Sequence, residues 1–412
     1  MTGHAPTPVP LPELTTRRCP FAPPREYEEL RDRGDVGLLT FPGGSTAYLL
    51  TRDADVRAAL TDERLSSSIN AAPPREGGGE VPGWFFGLDG PDHAAVRSVV
   101  VPHFTARAAR TLTPRVAEMV DDTLDDLVAG PGHADLVAEY CVPLARRMMR
   151  LTLGTSEADH RALTEAIERM ESPELDQDAW RAAVFDAWRA AHAVAASDDL
   201  DPAGVVARLR ADSRLTHDEL SSVLVSLQIG GDVPVVQFLA MALRLLLESP
   251  DARDGLLAGP HDVAVHELLR YVPSNNLGVV RRVTAPLVLG GTHLPEGAVV
   301  FSSPPVANRD REQYADAESL DLARTPHRHL SFGHGAHRCL GQHLAVVLAE
   351  RALVGFVHRF PEARISVAAD DLASVDSATT HGLSTLPVGL GPARTQPTAP
   401  VSRPRRGGPE VS

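Results

Sequence analysis

The sequence predicts a mainly α-helical fold with a minor β region, and three observations carry that prediction. Apolar residues recur at helical spacing over residues 91–154 and, in alanine-rich form, over 157–210. Thr216-His217-Asp218-Glu219 has the make-up of a capping box, in which hydroxyl and carboxylate each serve the other's backbone N–H. It opens a long helix that stops at Ser249-Pro250. Alternation of apolar and polar residues is confined to 277–300, around Gly290-Gly291 and Pro295-Glu296-Gly297, where it predicts a hairpin of a small sheet.

Taken in order, residues 1–19 open on a polar, proline-rich stretch and are expected to be a disordered tail. Residues 47–51 suit a short strand, and 53–60 turn to helical periodicity. Residues 66–83 carry Ser, Asn, Pro and a glycine triplet and read as a long loop. Gly130-Pro131-Gly132 breaks the first helical stretch, and Ser172-Pro173 and residues 197–202 divide the second. Residues 263–271 form a further helix. Residues 391–412, rich in Pro, Arg and Gly, are a second expected tail, which leaves 20–390 as one domain. There is no internal repeat.

Composition narrows the function. The 412 residues are 43% apolar, enough for a large core, and carry a net charge of −14. That charge argues against a nucleic-acid surface and against anionic membranes. Cys19, Cys141 and Cys339 lie far apart with no C-x-x-C pair, so neither a disulfide framework nor a zinc site is expected. Residues 1–14 contain no apolar signal core. The most apolar stretch, 220–247, is interrupted by Gln228, Gly230, Gly231, Asp232, Pro234 and Arg244, too polar for lipid. A soluble, cytoplasmic enzyme of prokaryotic type is expected.

Residues 332–341 read Phe-Gly-His-Gly-Ala-His-Arg-Cys-Leu-Gly, with a helix-forming run from 342 to 356 directly after. A sulfur at a helix start faces unpaired N–H groups and the positive end of the dipole, which favours thiolate over thiol. Gly333, Gly335 and Gly341 permit a tight turn and the approach of a flat ligand. These are the requirements of a thiolate axial ligand to haem iron. The decapeptide resembles the haem-binding loop of the cytochrome P450 family, and the order of elements is similar to that family's over roughly 20–390.

The resemblance implies haem b bound through Cys339, between the long central helix and the helix after the cysteine, with Phe332 and Gly341 in the cofactor site. It also implies partners for the two propionates, which are costly to bury unless cations or hydrogen bonds meet them. The positions similar to the family's are His93 and Arg97, four apart on one helix face, His337, and Arg282 on a strand. Neighbours on a strand face opposite ways, so Arg281 and Arg282 remain alternatives for that role. Glu267 and Arg270 match the family's Glu-x-x-Arg pair, with a supporting role for the cysteine loop, and Asn308-Arg309-Asp310 matches a motif downstream. Ser319 stands where many relatives carry an arginine that completes the pair; another residue is left to close the network.

The central helix departs from the family. Relatives carry Ala/Gly-Gly-x-acid-Thr, whose acid and hydroxyl deliver protons for O–O cleavage. Here the stretch reads Gly230-Gly231-Asp232-Val233-Pro234-Val235, with valine at the acid position and proline at the threonine position. Pro234 is expected to kink the helix and free carbonyls near Gly230. Asp232, one position early, is rotated by ~100°. Gly230, Gly231, Asp232 and Pro234 are thus the candidate catalytic residues. Asp232 either reaches the pocket through water or points at a neighbouring helix.

Three functions follow from these readings. The first is a monooxygenase whose proton relay runs through ordered water, Asp232 or the substrate. The second is a P450-type enzyme doing coupling, cyclisation or peroxide-driven chemistry, and the third a non-catalytic haem module. The pocket is expected to be walled by residues 66–86, the helices within 168–195, the central helix, 272–280 and 381–385. Trp84, Phe85 and Phe86 either pack under the loop or wall an apolar substrate, and Asn275 and Asn276 are candidate hydrogen-bonding groups. Length and lack of an anchor resemble actinobacterial tailoring enzymes, which implies a medium-sized natural product of secondary metabolism. A separate ferredoxin and ferredoxin reductase would supply electrons, docking at a patch containing Arg338, Arg97 and Arg351. A monomer is expected.

Overall fold

The computed structural model describes residues 4–12, 15–70, 84–172, 174–212, 214–325, 328–376 and 380–394. The strands that frame the site are β1 (Thr7–Pro8), β2 (Gly37–Thr40), β3 (Thr46–Leu50), β4 (Leu65–Ser66), β5 (Val279–Val283), β6 (Leu287–Leu289), β7 (Thr292–Leu294) and β8 (Val299–Ser302). The helices used below are α1 (Gly90–Val100), α2 (Ala106–Ala129), α3 (Val142–Leu153), α4 (Glu157–Met170), α5 (Gln177–Ala196), α6 (His217–Gly231), α7 (Val233–Glu248), α8 (His261–Tyr271) and α9 (Gln342–Arg359). The fold is mainly helical, with a six-stranded sheet in the order β1-β2-β3-β8-β5-β4 at one side.

The predicted hairpin is present in elaborated form. β5 pairs antiparallel with β8, and between them β6 and β7 make a ribbon. The ribbon turns at Gly290 and Gly291, at φ +52° and +73°, a conformation that side chains with a Cβ resist. The first residues are a correction. Thr7 and Pro8, expected in a disordered tail, run parallel to Gly37 and Leu38. The Thr7 N–H donates to Val36 O at 2.8 Å, and Val9 and Leu11 pack on the cluster around Tyr27, Leu30, Leu39 and Leu49. Prolines that deny N–H groups to a ladder are tolerated on an edge strand, so a proline-rich run can still dock. Of the expected loop at 66–83, residues 71–83 lie outside the described residues, as do 395–412 of the expected C-terminal tail.

The large core lies among α2, α3, α6, α7 and α9. α6 opens with the predicted capping box, with Glu219 N–H donating to Thr216 Oγ1 at 3.2 Å and Thr216 N–H to Glu219 Oε2 at 2.7 Å. Such caps are worth about 1 kcal/mol. The kinked single helix expected here is instead two helices. α6 stops at Gly231, Asp232 takes φ −101° and ψ −86°, and α7 restarts at Val233. Pro234 therefore sits in the first turn of α7, where its missing N–H costs nothing.

Candidate active site

Two walls face each other across a cavity of about 490 Å³. One is the cysteine loop with the first turns of α9 (Leu344, Ala345, Leu348); the other is α6 with Ser226, Leu227, Gly230 and Gly231. α1, α3 and β5 close the sides. Cys339 opens onto this cavity, and its N–H donates to Phe332 O at 2.8 Å, which pins the loop. Gly335, at φ +71°, passes so close to α-helical residue Leu60 that a Cβ would fall 2.6 Å from its carbonyl oxygen. Gly341 adopts φ −76°, so its freedom is not needed for the turn.

The electrostatics at Cys339 differ from the sequence expectation. Burial pushes the thiol pKa up, against the opposing pull of the Gly341 and Gln342 N–H groups and of Arg97 and Arg338. The helix start helps the thiolate but does not by itself produce it. A cation in contact with the sulfur would.

Among the described residues six basic groups line the cavity: His93, Arg97, Arg281, His334, His337 and Arg338. His93 stacks on His337 at 4.0 Å, and its buried Nε2 has no hydrogen-bond partner. Burial lowers the pKa of His93, and it holds His337 down at about 4, with His93 as the second cause. Arg97 and Arg281 are also depressed by burial. Arg97 donates to Arg338 O at 2.7 Å, which ties α1 to the cysteine loop. His337 Nε2 lies 3.1 Å from Ser67 Oγ. These bases lose affinity for their protons on burial, and Asp89, 3.6 Å from His337, offsets this only in part. They fit the two carboxylates of a haem, as the thiol opposite fits its iron.

Two cofactor assignments are corrected. Arg282 is exposed on β5 and reaches only Gly297 O at 3.4 Å; Arg281, buried at 6% exposure, is the strand residue that enters the cavity. Strand alternation puts the two on opposite faces, and only pairing with β8 decides which face is inside. Phe332 is absent from the cavity wall. Its ring packs near His329 at 5.7 Å, and its contribution to the site is the carbonyl that holds Cys339.

Behind the loop, Arg270 grips Glu267 with two bonds of 2.7 Å, both side chains fully buried. Arg324 closes the network, its Nε donating to Glu267 Oε1 at 3.0 Å, so the arginine lies five residues beyond the aligned Ser319. Ser319 instead offers its carbonyl to Arg270 at 2.9 Å. Asn308 links this network to the loop, accepting from Leu330 N–H at 2.6 Å and donating to Ser331 Oγ at 2.9 Å.

Of the candidate catalytic residues, Gly230 and Gly231 line the cavity; Asp232 and Pro234 do not. Asp232 points at the neighbouring helix side, near Glu168, Arg146 and Gln228, where burial raises its pKa. Its charge helps to raise Glu171 to about 7, second to burial. Pro234 is exposed, as is Val233 at 37%. A Cβ on Gly231 would collide with Met149 Sδ of α3. The expected walls at 168–195 and 381–385, and Asn275 and Asn276, are not part of the cavity. Phe85 and Phe86 are, while Trp84 packs edge-on to Phe86 at 5.5 Å. Sequence reasoning missed Met148, Met149, Thr152 and Phe104, for which an ordinary amphipathic helix pattern is the only signal.

Fold and site together are those of a haem-thiolate protein. The family model for Cytochrome P450 matches residues 261–366. The chain is 32% identical over 390 residues to the vitamin D3 dihydroxylase of Streptomyces griseolus, covering 91% of this chain and 95% of that one. It is 34% identical over 381 residues to the mycinamicin IV hydroxylase/epoxidase of Micromonospora griseorubida, covering 88% and 94%. The crystal structure of CYP105N1 from Streptomyces coelicolor A3(2) superposes with a TM-score of 0.81 at 30% identity, covering 95% and 100%. The chain belongs to the cytochrome P450 family, of soluble bacterial type, and is a cytochrome P450 monooxygenase.

Proposed function

We propose that the protein uses haem b to insert oxygen into a medium-sized, largely apolar natural product of secondary metabolism. The observation that carries this is Cys339 opening onto an apolar cavity also lined by the buried His93 and Arg281 and the half-buried Arg97 and His337. Haem, when bound, supplies dioxygen binding and O–O cleavage. Cys339 would ligate the iron, and His93, Arg97, Arg281 and His337 would hold the propionates. Gly230 and Gly231 leave α6 without side-chain bulk over the cavity. Phe85, Phe86, Val279 and Val280 exclude water and set an apolar substrate surface. Two relatives support the substrate class by name: a mycinamicin IV hydroxylase/epoxidase and a 20-oxo-5-O-mycaminosyltylactone 23-monooxygenase. Electrons would arrive from a separate ferredoxin and its reductase, and the protein would act as a cytoplasmic monomer.

No carboxylate lines the cavity among the described residues, so protons reach it by a route other than a central-helix acid. The same observation favours the second reading, coupling or peroxide-driven chemistry that places smaller demands on such a relay. The experiment is a spin-shift screen of the holoenzyme against macrolide, peptide and terpenoid panels, followed by turnover with ferredoxin, reductase and isotopically labelled dioxygen. Label in the product with nucleotide consumed supports oxygen insertion. An unlabelled product, or turnover on hydrogen peroxide alone, supports the second reading instead.

A further inference from the structure

His337 joins the cavity wall from the cysteine loop, and its two ring nitrogens are met unequally. Nε2 lies 3.1 Å from Ser67 Oγ. Nδ1 has no hydrogen-bond partner among the described residues and, unlike His93 Nε2, is not sealed from solvent. In a neutral imidazole one nitrogen donates and the other accepts, so the bond made at one decides where the hydrogen sits. A hydrogen on Nε2 would leave Nδ1 with a lone pair, which repels a carboxylate. Ser67 follows directly on β4 and is fully buried. Its N–H donates to Asp89 Oδ1 at 3.0 Å and Oδ2 at 2.9 Å, and Ser66 Oγ–H donates to the same carboxylate. Asp89 stands at the N-cap of α1, where an aspartate ordinarily bonds its own helix, yet no such bond forms. Its carboxylate is turned to Ser66 and Ser67 instead. At 3.6 Å from His337 Nε2 it lies beyond hydrogen-bond length, so Ser67 is the closer partner of that nitrogen. Asp89 is also near the Ser67 hydroxyl, but its oxygens are already taken by Ser66 Oγ–H and Ser67 N–H. The hydrogen of Ser67 Oγ therefore belongs to His337.

We propose that Ser67 is a positioning residue for the cofactor: its hydroxyl donates to His337 Nε2 and so keeps the ring hydrogen on Nδ1, the nitrogen left to serve a haem propionate. Asp89 holds Ser67 in place for that bond. The inference rests on the haem-thiolate reading given above and adds to it two residues outside the cysteine loop. No proton is transferred to the propionate; the ring keeps one hydrogen, and Ser67 decides which nitrogen carries it.

The test reads the tautomer directly, by nitrogen NMR of the reduced carbon monoxide complex of the holoenzyme carrying isotopically labelled histidine. That complex is diamagnetic, and the His337 signals are those that His337→Gln removes. Wild type should show a hydrogen on Nδ1 and none on Nε2. Ser67→Ala should place hydrogen on Nε2 in a good part of the molecules. It should also lose haem to apomyoglobin about fivefold faster, the worth of one neutral hydrogen bond. Ser67→Thr, which keeps the hydroxyl, should keep the wild-type tautomer. A wild-type ring with hydrogen on Nε2, or on both nitrogens, overturns the proposal, as does a Ser67→Ala spectrum identical to wild type. A changed tautomer with haem loss at the wild-type rate overturns the propionate role. Should Ser67→Ala fail to fold, the wild-type tautomer decides alone. A wild type with no thiolate-type Soret band defeats the haem-thiolate reading itself, a result separable from the nitrogen spectrum.

Discussion

Arg270→Ala is the most informative perturbation of the frame that carries the cysteine loop. The guanidinium makes five hydrogen bonds: two to Glu267 at 2.7 Å, and one each to Asn308 O at 3.0 Å, Ala317 O at 2.8 Å and Ser319 O at 2.9 Å. Its loss leaves a fully buried carboxylate with only the Arg324 Nε and the Asp321 N–H, each at 3.0 Å. Removing one partner of a buried pair costs about 3–5 kcal/mol, chiefly because the other charge stays behind. Arg324→Ala is the internal control. It leaves the two-pronged Arg270 grip intact and removes a side chain with 12% exposure, so the loss of its charged bond costs about 1–3 kcal/mol. In a chain of this size, about 2 °C per kcal/mol predicts a Tm lowered by roughly 6–10 °C for Arg270→Ala and roughly 2–6 °C for Arg324→Ala. Thermal unfolding of the holoenzyme, followed by far-UV circular dichroism, measures both, and the Soret band reports whether Arg270→Ala sheds haem first. Equal Tm values for Arg270→Ala and wild type, or a larger loss in Arg324→Ala, would refute the reasoning.

Asp232→Asn and Pro234→Thr should both leave the ratio of product formed to nucleotide consumed unchanged, because neither side chain reaches the cavity; a falling ratio in either would restore a central-helix relay. Gly231→Ala should destabilise by about 1–3 kcal/mol through overlap with Met149 Sδ, with Met149→Ala in the same chain recovering part of the loss in a double-mutant cycle. His160, buried on α4, has its pKa lowered from 6.5 to about 4, chiefly by burial. The unfolded chain then binds a proton between those values that the folded chain refuses, so stability falls as pH drops from 6.5 towards 4. Relative to His160→Leu, wild type should lose on the order of 2 kcal/mol across that window, with denaturant midpoints as the readout. Parallel pH profiles for the two proteins would contradict this.

What could be read from residues alone divides along local and non-local lines. Cys339, His93, Arg97, His337 and the Glu267–Arg270 pair all sit in short patterns whose geometry is set within one helix or one loop; the structure brings the first four to one cavity and pairs Glu267 with Arg270. Arg281 against Arg282 depends on which face of β5 the sheet turns inward, a fact held by β8 some twenty positions away in sequence. Arg324 lies in an irregular stretch, where no periodicity fixes an alignment and a five-residue slip passes unnoticed. The central helix shows the limit of propensity. Proline was expected to kink one helix, but the chain breaks at Asp232 and uses Pro234 as a first-turn residue, which turns both side chains away from the cavity. Thr152 and Met149 gave no local signal because their place on the cavity wall is set by how α3 packs against α6. β1 was missed for the opposite reason: a proline-rich composition resembles a tail until an edge strand is found to receive it.

The ligand at the iron decides the central claim. The reduced carbon monoxide complex of wild type should absorb at the position typical of thiolate ligation, and Cys339→His, which offers nitrogen in place of sulfur, should move the band to that of a histidine-ligated haem. A band that stays in place in Cys339→His, or a wild-type band already at the nitrogen-ligated position, would contradict the account.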